Sequence, residues 1–461
     1  MVDMLALFDI SPLTYISWRF EMYIFSSSRN SKGNPKIGMS NEPQSIFRTR
    51  WVRVAMLLLY LLIAVTGCLY LIYSLNCIDG CGPYHTRASV ADLDGDGDLD
   101  VVVSNFRHET DTIVWAGATL WINQGGGKFT PRTGDWGGAY TTAGDVNGDG
   151  NVDLVRWSYD AIHIHLNYGE EDPTYGGLRL SYGIRPAKGP PFWSANGSIA
   201  LGDLNNDGRL DAIVSSCCAV LSDERDGSPV FVPWVWINTL DENGYPKGVG
   251  LNLNSLGDLP MQPALGDLDG DGDLDVYAAS LPPKKGAYDP SDRILLNDGS
   301  GVFVDSGQRL DNPRKAGTAG SGAVALGDLD GDGDLDALVA TAKGASIWMN
   351  QGGAQGGQTG VFAESGQRLG RDHIEAVFLG DLDADGDLDA LVAGKAQATI
   401  WWNDGGGAGF RDSGQRLEYT ERHGLAVGDF DGDGDLDVFS AVGDEFHLWL
   451  NQGDGRLQTH N

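Results

Sequence analysis

Hydrophobic residues are distributed along this chain in two ways. From Val54 to Leu75 run 22 residues without a charge (VAMLLLYLLIAVTGCLYLIYSL), preceded by Arg48, Arg50 and Arg53 and followed by Asn76 and Asp79. Beyond about residue 85 the apolar positions come instead in runs of four to seven, such as AVALG (323–327), ALVA (337–340) and IWMN (347–350), separated by Gly, Asn and Asp. Runs of that length are strand-sized and too short for helices. The first pattern predicts one helix, the second many strands.

A helix of 22 residues spans about 33 Å, enough for a hydrocarbon core of about 30 Å. The reading is a single transmembrane helix over 53–76, with the membrane contacted through residues 54–75. Positive residues on its N-terminal flank make 1–52 a cytoplasmic tail and send the rest of the chain outside the cell. Residues 77–84 read as a linker and 1–52 as disordered, since Ser26–Ser40 is polar and contains Gly and Pro. Two other readings compete. A cleaved signal peptide would give a secreted protein but has a shorter apolar region. A lipoprotein signal is suggested by Val65-Thr66-Gly67-Cys68, although seven more uncharged residues follow Cys68.

The strand region repeats. A pattern DxDxDGxxD, with single-letter variations, occurs seven times, at 92–100, 145–153, 203–211, 267–275, 328–336, 381–389 and 429–437. Each copy lies between two apolar runs. A strand ending in Asn follows, then a Gly-rich turn and a Phe-containing strand, which in three units leads into SGQRL (306–310, 365–369 and 413–417). Each unit thus supplies about four antiparallel strands, and seven such units over 85–461 match the radial repetition of an all-β, seven-bladed β-propeller. A linear β-solenoid is the structural alternative, but it usually has a shorter period.

Copy number, period and loop together resemble the FG-GAP/VCBS repeat family, whose best-known relative is the N-terminal propeller of integrin α chains. The resemblance implies a calcium ion in the loop joining the first two strands of a blade, and it implies no reaction.

Read from its own chemistry, the loop points to the same ion. Position 1 is Asp92, Asp145, Asp203, Asp267, Asp328, Asp381 and Asp429; position 3 is Asp94, Asn147, Asn205, Asp269, Asp330, Asp383 and Asp431. Position 5 is Asp96, Asp149, Asp207, Asp271, Asp332, Asp385 and Asp433, and position 9 is Asp100, Asp153, Asp211, Asp275, Asp336, Asp389 and Asp437. These offer side-chain oxygens. Gly at position 6 permits a sharp turn, and position 7 (Asp98, Asn151, Arg209, Asp273, Asp334, Asp387 and Asp435) can add a main-chain carbonyl. Hard oxygen donors of this kind suit Ca²⁺, whereas Zn²⁺ would want His or Cys. An EF-hand fails because position 12 is never Glu and the flanks read as strands. Up to seven Ca²⁺ ions are expected, with the second and third loops weakest: each lacks one carboxylate, and Arg209 adds a positive charge.

Charge and composition narrow the function. The formal charge of −32 over 461 residues excludes a nucleic-acid binder. Catalysis finds no motif: there is no G-x-S-x-G elbow, P-loop or His-rich metal site. Aligning the units on their Asn puts His165 where Trp121, Trp236, Trp348, Trp401 and Trp449 stand, which is a packing position. His85, His373 and His423 precede metal loops and would fall near the channel mouth on the opposite face. Irregular segments with Trp, Tyr and charged residues are expected on that face: Phe106–Ala118, Glu170–Asn196, Ser222–Pro233 and Pro282–Arg293. The resulting expectation is a non-enzymatic recognition or adhesion module for an extracellular carbohydrate or protein. A polysaccharide lyase or glycosidase on a propeller scaffold, or a purely structural surface component, are the alternatives. Cys77 with Cys81, or Cys217 with Cys218, are candidate disulfides.

Overall fold

The structure is a computed structural model. It describes residues from Arg87 to His460, apart from 110–111, 135–139, 159–160, 170–178, 184–196, 217–220, 223–228, 231–233, 253–260, 281–290, 312–322, 407–408, 420–423 and 443–444. The expected tail, transmembrane helix and linker lie outside the described residues, as do Cys77, Cys81, Cys217 and Cys218. Among the described residues no helix is long and apolar enough to cross a membrane.

The strands form seven four-stranded antiparallel sheets, the blades of a β-propeller, and one additional two-stranded ribbon. Blade one consists of Arg87–Ala91, Asp100–Glu109, Thr112–Asn123 and Phe129–Gly134, hydrogen-bonded in that order. Blades two to seven occupy 140–183, 197–252, 261–305, 324–369, 376–418 and 424–460. The first strands of blades one to six pack side by side in sequence, and that of blade one packs against Gly424–Gly428 of blade seven. They therefore line a central axis. Every interface between neighbouring blades is filled by buried apolar side chains, for example Val155, Ile164, Leu201 and Trp236 between blades two and three.

Glycine ends the first strand of blades two to seven because the next blade comes too close for a side chain. A Cβ on Gly327 would lie 2.6 Å from Leu388 Cδ1, and one on Gly266 would lie 2.7 Å from Leu335 Cδ1. Those leucines are position 8 of the following metal loop, so the apolar letter in each copy of the motif is an inter-blade contact.

Side-chain amides complete the ring. The Asn that closes each third strand donates from Nδ2 to the main-chain carbonyl at position 2 of the preceding blade's loop. The pairs are Asn167 to Leu93, Asn238 to Val146, Asn297 to Leu204, Asn350 to Leu268, Asn403 to Leu329, and Asn451 to Leu382, at 2.6–2.9 Å. The seventh, Asn123 to Phe430 at 2.8 Å, joins blade one to blade seven. Among the described residues no strand is exchanged at that closure, since each of these two blades is built from one contiguous stretch.

The SGQRL segments make a second, outer clasp. Gln308 donates to Gly360 O (2.6 Å) and accepts from Phe362 N–H (2.9 Å) in the next blade; Gln415 does the same with Gly455 and Leu457. Gln367 pairs with both main-chain groups of Phe410. Ion pairs of Arg309 with Asp305, Arg368 with Glu364 and Arg416 with Asp412 brace the same turns.

One expectation is corrected. Phe106–Ala118 is not an irregular loop: Asp100–Glu109 and Thr112–Asn123 continue as a long hairpin, with a register shift between Asn105 and Phe106. Ile113, Val114 and Trp115 are strand formers, and pairing with 106–108 satisfies their main chain.

Candidate metal centre

Each loop joins the first and second strands of its blade, and its local fold follows from hydrogen bonds to its own carboxylates. In the loop at 328–336 the Asp328 carboxylate accepts the N–H groups of Gly331 (2.8 Å), Asp332 (3.1 Å) and Gly333 (3.0 Å), while Asp332 accepts that of Asp334 (2.9 Å). The same arrangement recurs at 267–275 and 429–437. Position 6 is glycine in all seven loops with φ between +84° and +98°, a region costly for a residue with a Cβ. The turn therefore wraps around position 1 and brings positions 3 and 5 alongside it.

In five loops carboxylate oxygens of positions 1, 3 and 5 lie within 4.8 Å of one another: Asp92/94/96, Asp267/269/271, Asp328/330/332, Asp381/383/385 and Asp429/431/433. Among the described residues, one oxygen in each cluster has no hydrogen-bond partner although it is buried, and it is always the position-3 Oδ1, in Asp94, Asp269, Asp330, Asp383 and Asp431. A buried anionic oxygen without a donor is costly. Three such groups so close repel at roughly 3–4 kcal/mol per pair at an effective dielectric of 20. Burial together with the neighbouring Asp96 charge pushes Asp94 up to about 6, and burial and like charges raise Asp269, Asp330, Asp383 and Asp431 as well. An oxygen-seeking divalent cation relieves all of these costs together, and the donor set fits calcium.

The second and third loops are satisfied differently. Asn147 and Asn151 both donate to Asp149, at 2.9 Å each. Asn205 donates to Asp207 at 3.2 Å, and Arg209 forms an ion pair with the same carboxylate. Amide and guanidinium donors here offset the carboxylate charge from within the loop.

The ninth position is held by the main chain. Asp389 is fully buried, with Oδ2 accepting the N–H of Leu382 (3.0 Å) and Oδ1 that of Asn403 (2.8 Å). All seven copies make this pair of bonds, which ties position 2 of the loop to the Asn that reaches the preceding blade. The sequence marks these aspartates as candidate ligands without revealing the clasp, whose signal is the recurrence of Asn 14 residues after position 9 in four of the copies.

Burial drives the ninth-position carboxyls up, against the pull of their two N–H donors, to about 7 for Asp100, Asp153, Asp336, Asp389 and Asp437 and about 6 for Asp211 and Asp275. An acid whose folded pKa lies above its unfolded value near 4 favours the folded state while protonated, and that contribution is lost as pH rises through 6–7. In EDTA the melting temperature should therefore be higher at pH 5 than at pH 8. Calcium should remove or reverse that slope, because it stabilises the ionised loops and competes with protons. Paired melts across pH 5–8 check this; a calcium-free protein that gains stability toward pH 8 would contradict it.

Position 4 offers a smaller test. It is glycine at positive φ in five loops, but Ala384 at φ +61° in the sixth and Asn206 at +58° in the third. A Cβ at Gly95, Gly148, Gly331 or Gly432 meets nothing within 4 Å, so the cost of alanine is one of backbone conformation alone. Ala384→Gly should stabilise the protein by about 1 kcal/mol, the left-handed penalty less the added freedom of the unfolded chain. A rise in urea midpoint reads it out.

Residues from the loops of blades one, two, three and seven line a cavity of about 730 Å³, together with Thr142, Ser198, Gln262 and Leu326 from first strands. His165 is buried in its sheet opposite Leu154, at the position tryptophan takes in other blades. His373 is half-buried, and His85 and His423 lie outside the described residues. Because the strands alternate in direction, connections between second and third strands, and between blades, lie at the end away from the metal loops. Most of the other expected recognition segments, Glu170–Asn196, Ser222–Pro233 and Pro282–Arg293, lies outside the described residues.

A family model described as FG-GAP-like repeat matches residues 92–156, 145–214, 285–339, 328–392 and 381–440, more than half of the chain. No curated protein matches the chain. Among solved structures, an Agrocybe aegerita lectin that recognises non-reducing terminal N-acetylglucosamine is similar at 18% identity and TM-score 0.45, over 79% of this chain and 87% of that one. Trypanosoma rangeli sialidase in complex with sialic acid is similar at 12% identity and TM-score 0.36, over 80% of this chain and 57% of that one. The V. cholerae biofilm matrix protein Bap1 is similar at 14% identity and TM-score 0.28, over 84% and 80%.

Proposed function

The chain belongs to the FG-GAP-like repeat family, and on that premise we propose that it is a calcium-loaded recognition module, anchored by 53–76 with its propeller outside the cell. Its ligand is a carbohydrate or a protein held by the face opposite the metal loops, and it performs no chemistry of its own. The observation that carries this reading is the set of five aspartate clusters, each with one buried oxygen lacking a donor. Asp92, Asp94 and Asp96 and their counterparts hold the ion through side chains; the position-7 carbonyls complete the set. The ion supplies cohesion to a rigid scaffold from which longer connections project.

A further feature supports it. Among the described residues, every carboxyl raised from its ordinary range sits in one of these acidic loops or in the clasp beside it, where a cation would offset the crowded negative charge.

Binding to a glycan and protein array, read with calcium and again in EDTA, tests the reading. Calcium-dependent binding without turnover is expected. Product release from a polysaccharide panel would establish the enzyme instead, and silence in both assays would leave a structural surface role.

A further inference from the structure

One interface of the ring is not tethered by the chain. Blades one and seven meet across 307 residues at the Asn123–Phe430 contact, and neither borrows a strand from the other. At the other six interfaces consecutive blades are held at high effective concentration by the connection between them. Here side-chain contacts alone must resist opening.

Aromatic rings concentrate at this seam. Trp121 and Phe129 of blade one pack against Phe430, Phe439 and Phe446 of blade seven, with centroids 4.8–5.9 Å apart. Phe430 is position 2 of the seventh loop, where the other six carry Leu or Val. It lies between Asp429 and Asp431, two members of the cluster whose oxygens come within 4.8 Å. Its N–H is held by Asp437 (2.8 Å), its carbonyl by Asn123 (2.8 Å), and its ring by Phe129 and Phe439.

We propose that the cation in the loop at 429–437 is the latch of the ring: it keeps Phe430 seated in the aromatic seam, and its loss opens the propeller between blades one and seven before any other interface. The proposal rests on the reading of these loops as calcium sites. Without the ion, repulsion among Asp429, Asp431 and Asp433 pushes the main chain on both sides of Phe430, which moves its carbonyl from Asn123 and its ring from Phe129. The same event in an internal loop leaves a blade pair joined by the chain, so the ring stays closed.

Amide hydrogen exchange of the full chain, with bound calcium counted in parallel, tests it on Asp431→Ala, Asp330→Ala and Phe430→Leu. Asp431→Ala should lose one ion and speed exchange in Arg87–Ala91 and Gly424–Gly428 at least tenfold. Asp330→Ala should lose one ion and leave those strands within twofold of the parent. Phe430→Leu restores the residue common at this position; it should keep every ion yet speed exchange at the seam at least threefold, and it decides the matter if Asp431→Ala does not fold. Loss of an ion from Asp431→Ala with an unchanged seam, equal seam exposure in Asp330→Ala, or a protected seam in Phe430→Leu would each overturn the latch while leaving the metal sites standing. A parent protein that binds no calcium would remove the metal reading itself.

Discussion

Withdrawing calcium should lower the melting temperature by roughly 15–20 °C. With free calcium a hundredfold above the dissociation constant, each site contributes about 2.7 kcal/mol, so five independent sites contribute about 13 kcal/mol. Unfolding entropy near 2.1 cal/mol/K per residue converts that figure to about 17 °C for a body of about 370 residues. The direction follows from geometry: emptied clusters keep like charges within 4.8 Å of each other and leave five buried oxygens without a donor. Scanning calorimetry with calcium and then with EDTA measures the shift. A change of under 3 °C would mean that the clusters are solvated acidic turns and not ion sites.

Asp389→Ala should cost about 4 kcal/mol, and the loss should persist in EDTA. The substitution strands two buried N–H groups, those of Leu382 and Asn403. Each unsatisfied buried donor costs about 1–3 kcal/mol. It also frees Asn403, whose amide joins Leu329 O of the preceding blade to Leu388 O of its own, at 2.8 and 3.2 Å. Asp385→Ala, in the middle of the same cluster, should instead be costly with calcium and nearly silent without it. Urea midpoints of both variants, with and without calcium, separate the two roles. If Asp389→Ala loses most of its effect in EDTA, the ninth aspartate acts chiefly through the ion.

The two aspartates are one motif in sequence and two devices in space. Asp381, Asp383 and Asp385 occur two residues apart with glycine next, and that local spacing is enough to show that they converge. Asp389 comes four residues later in the same acidic run, and nothing nearby marks it as facing the main chain. Its partner Asn403 was visible as a strand terminator, yet its destination, Leu329, lies 74 residues back on another blade. SGQRL was equally plain as a repeat and equally mute: Gln308 finds Gly360 and Phe362 only once two blades stand side by side. The hairpin through Phe106 and Trp115 was hidden for another reason, since a register shift at Asn105 interrupts the alternation that signals a strand.

What the amino-acid order settled alone is local and repeated: seven units, four strands in each, and acidic turns whose first, third and fifth residues surround a common point. Each depends on residues within one turn or one strand, so spacing and letter type suffice. The tertiary structure decided which carboxylates serve the backbone, which carbonyl each asparagine reaches, and how the last blade meets the first without sharing a strand. Each asparagine and the carbonyl it reaches in the neighbouring blade lie from 69 to 307 residues apart. They become neighbours only when the ring brings blades into contact, and no local pattern can encode a distance that the closure of the whole ring sets.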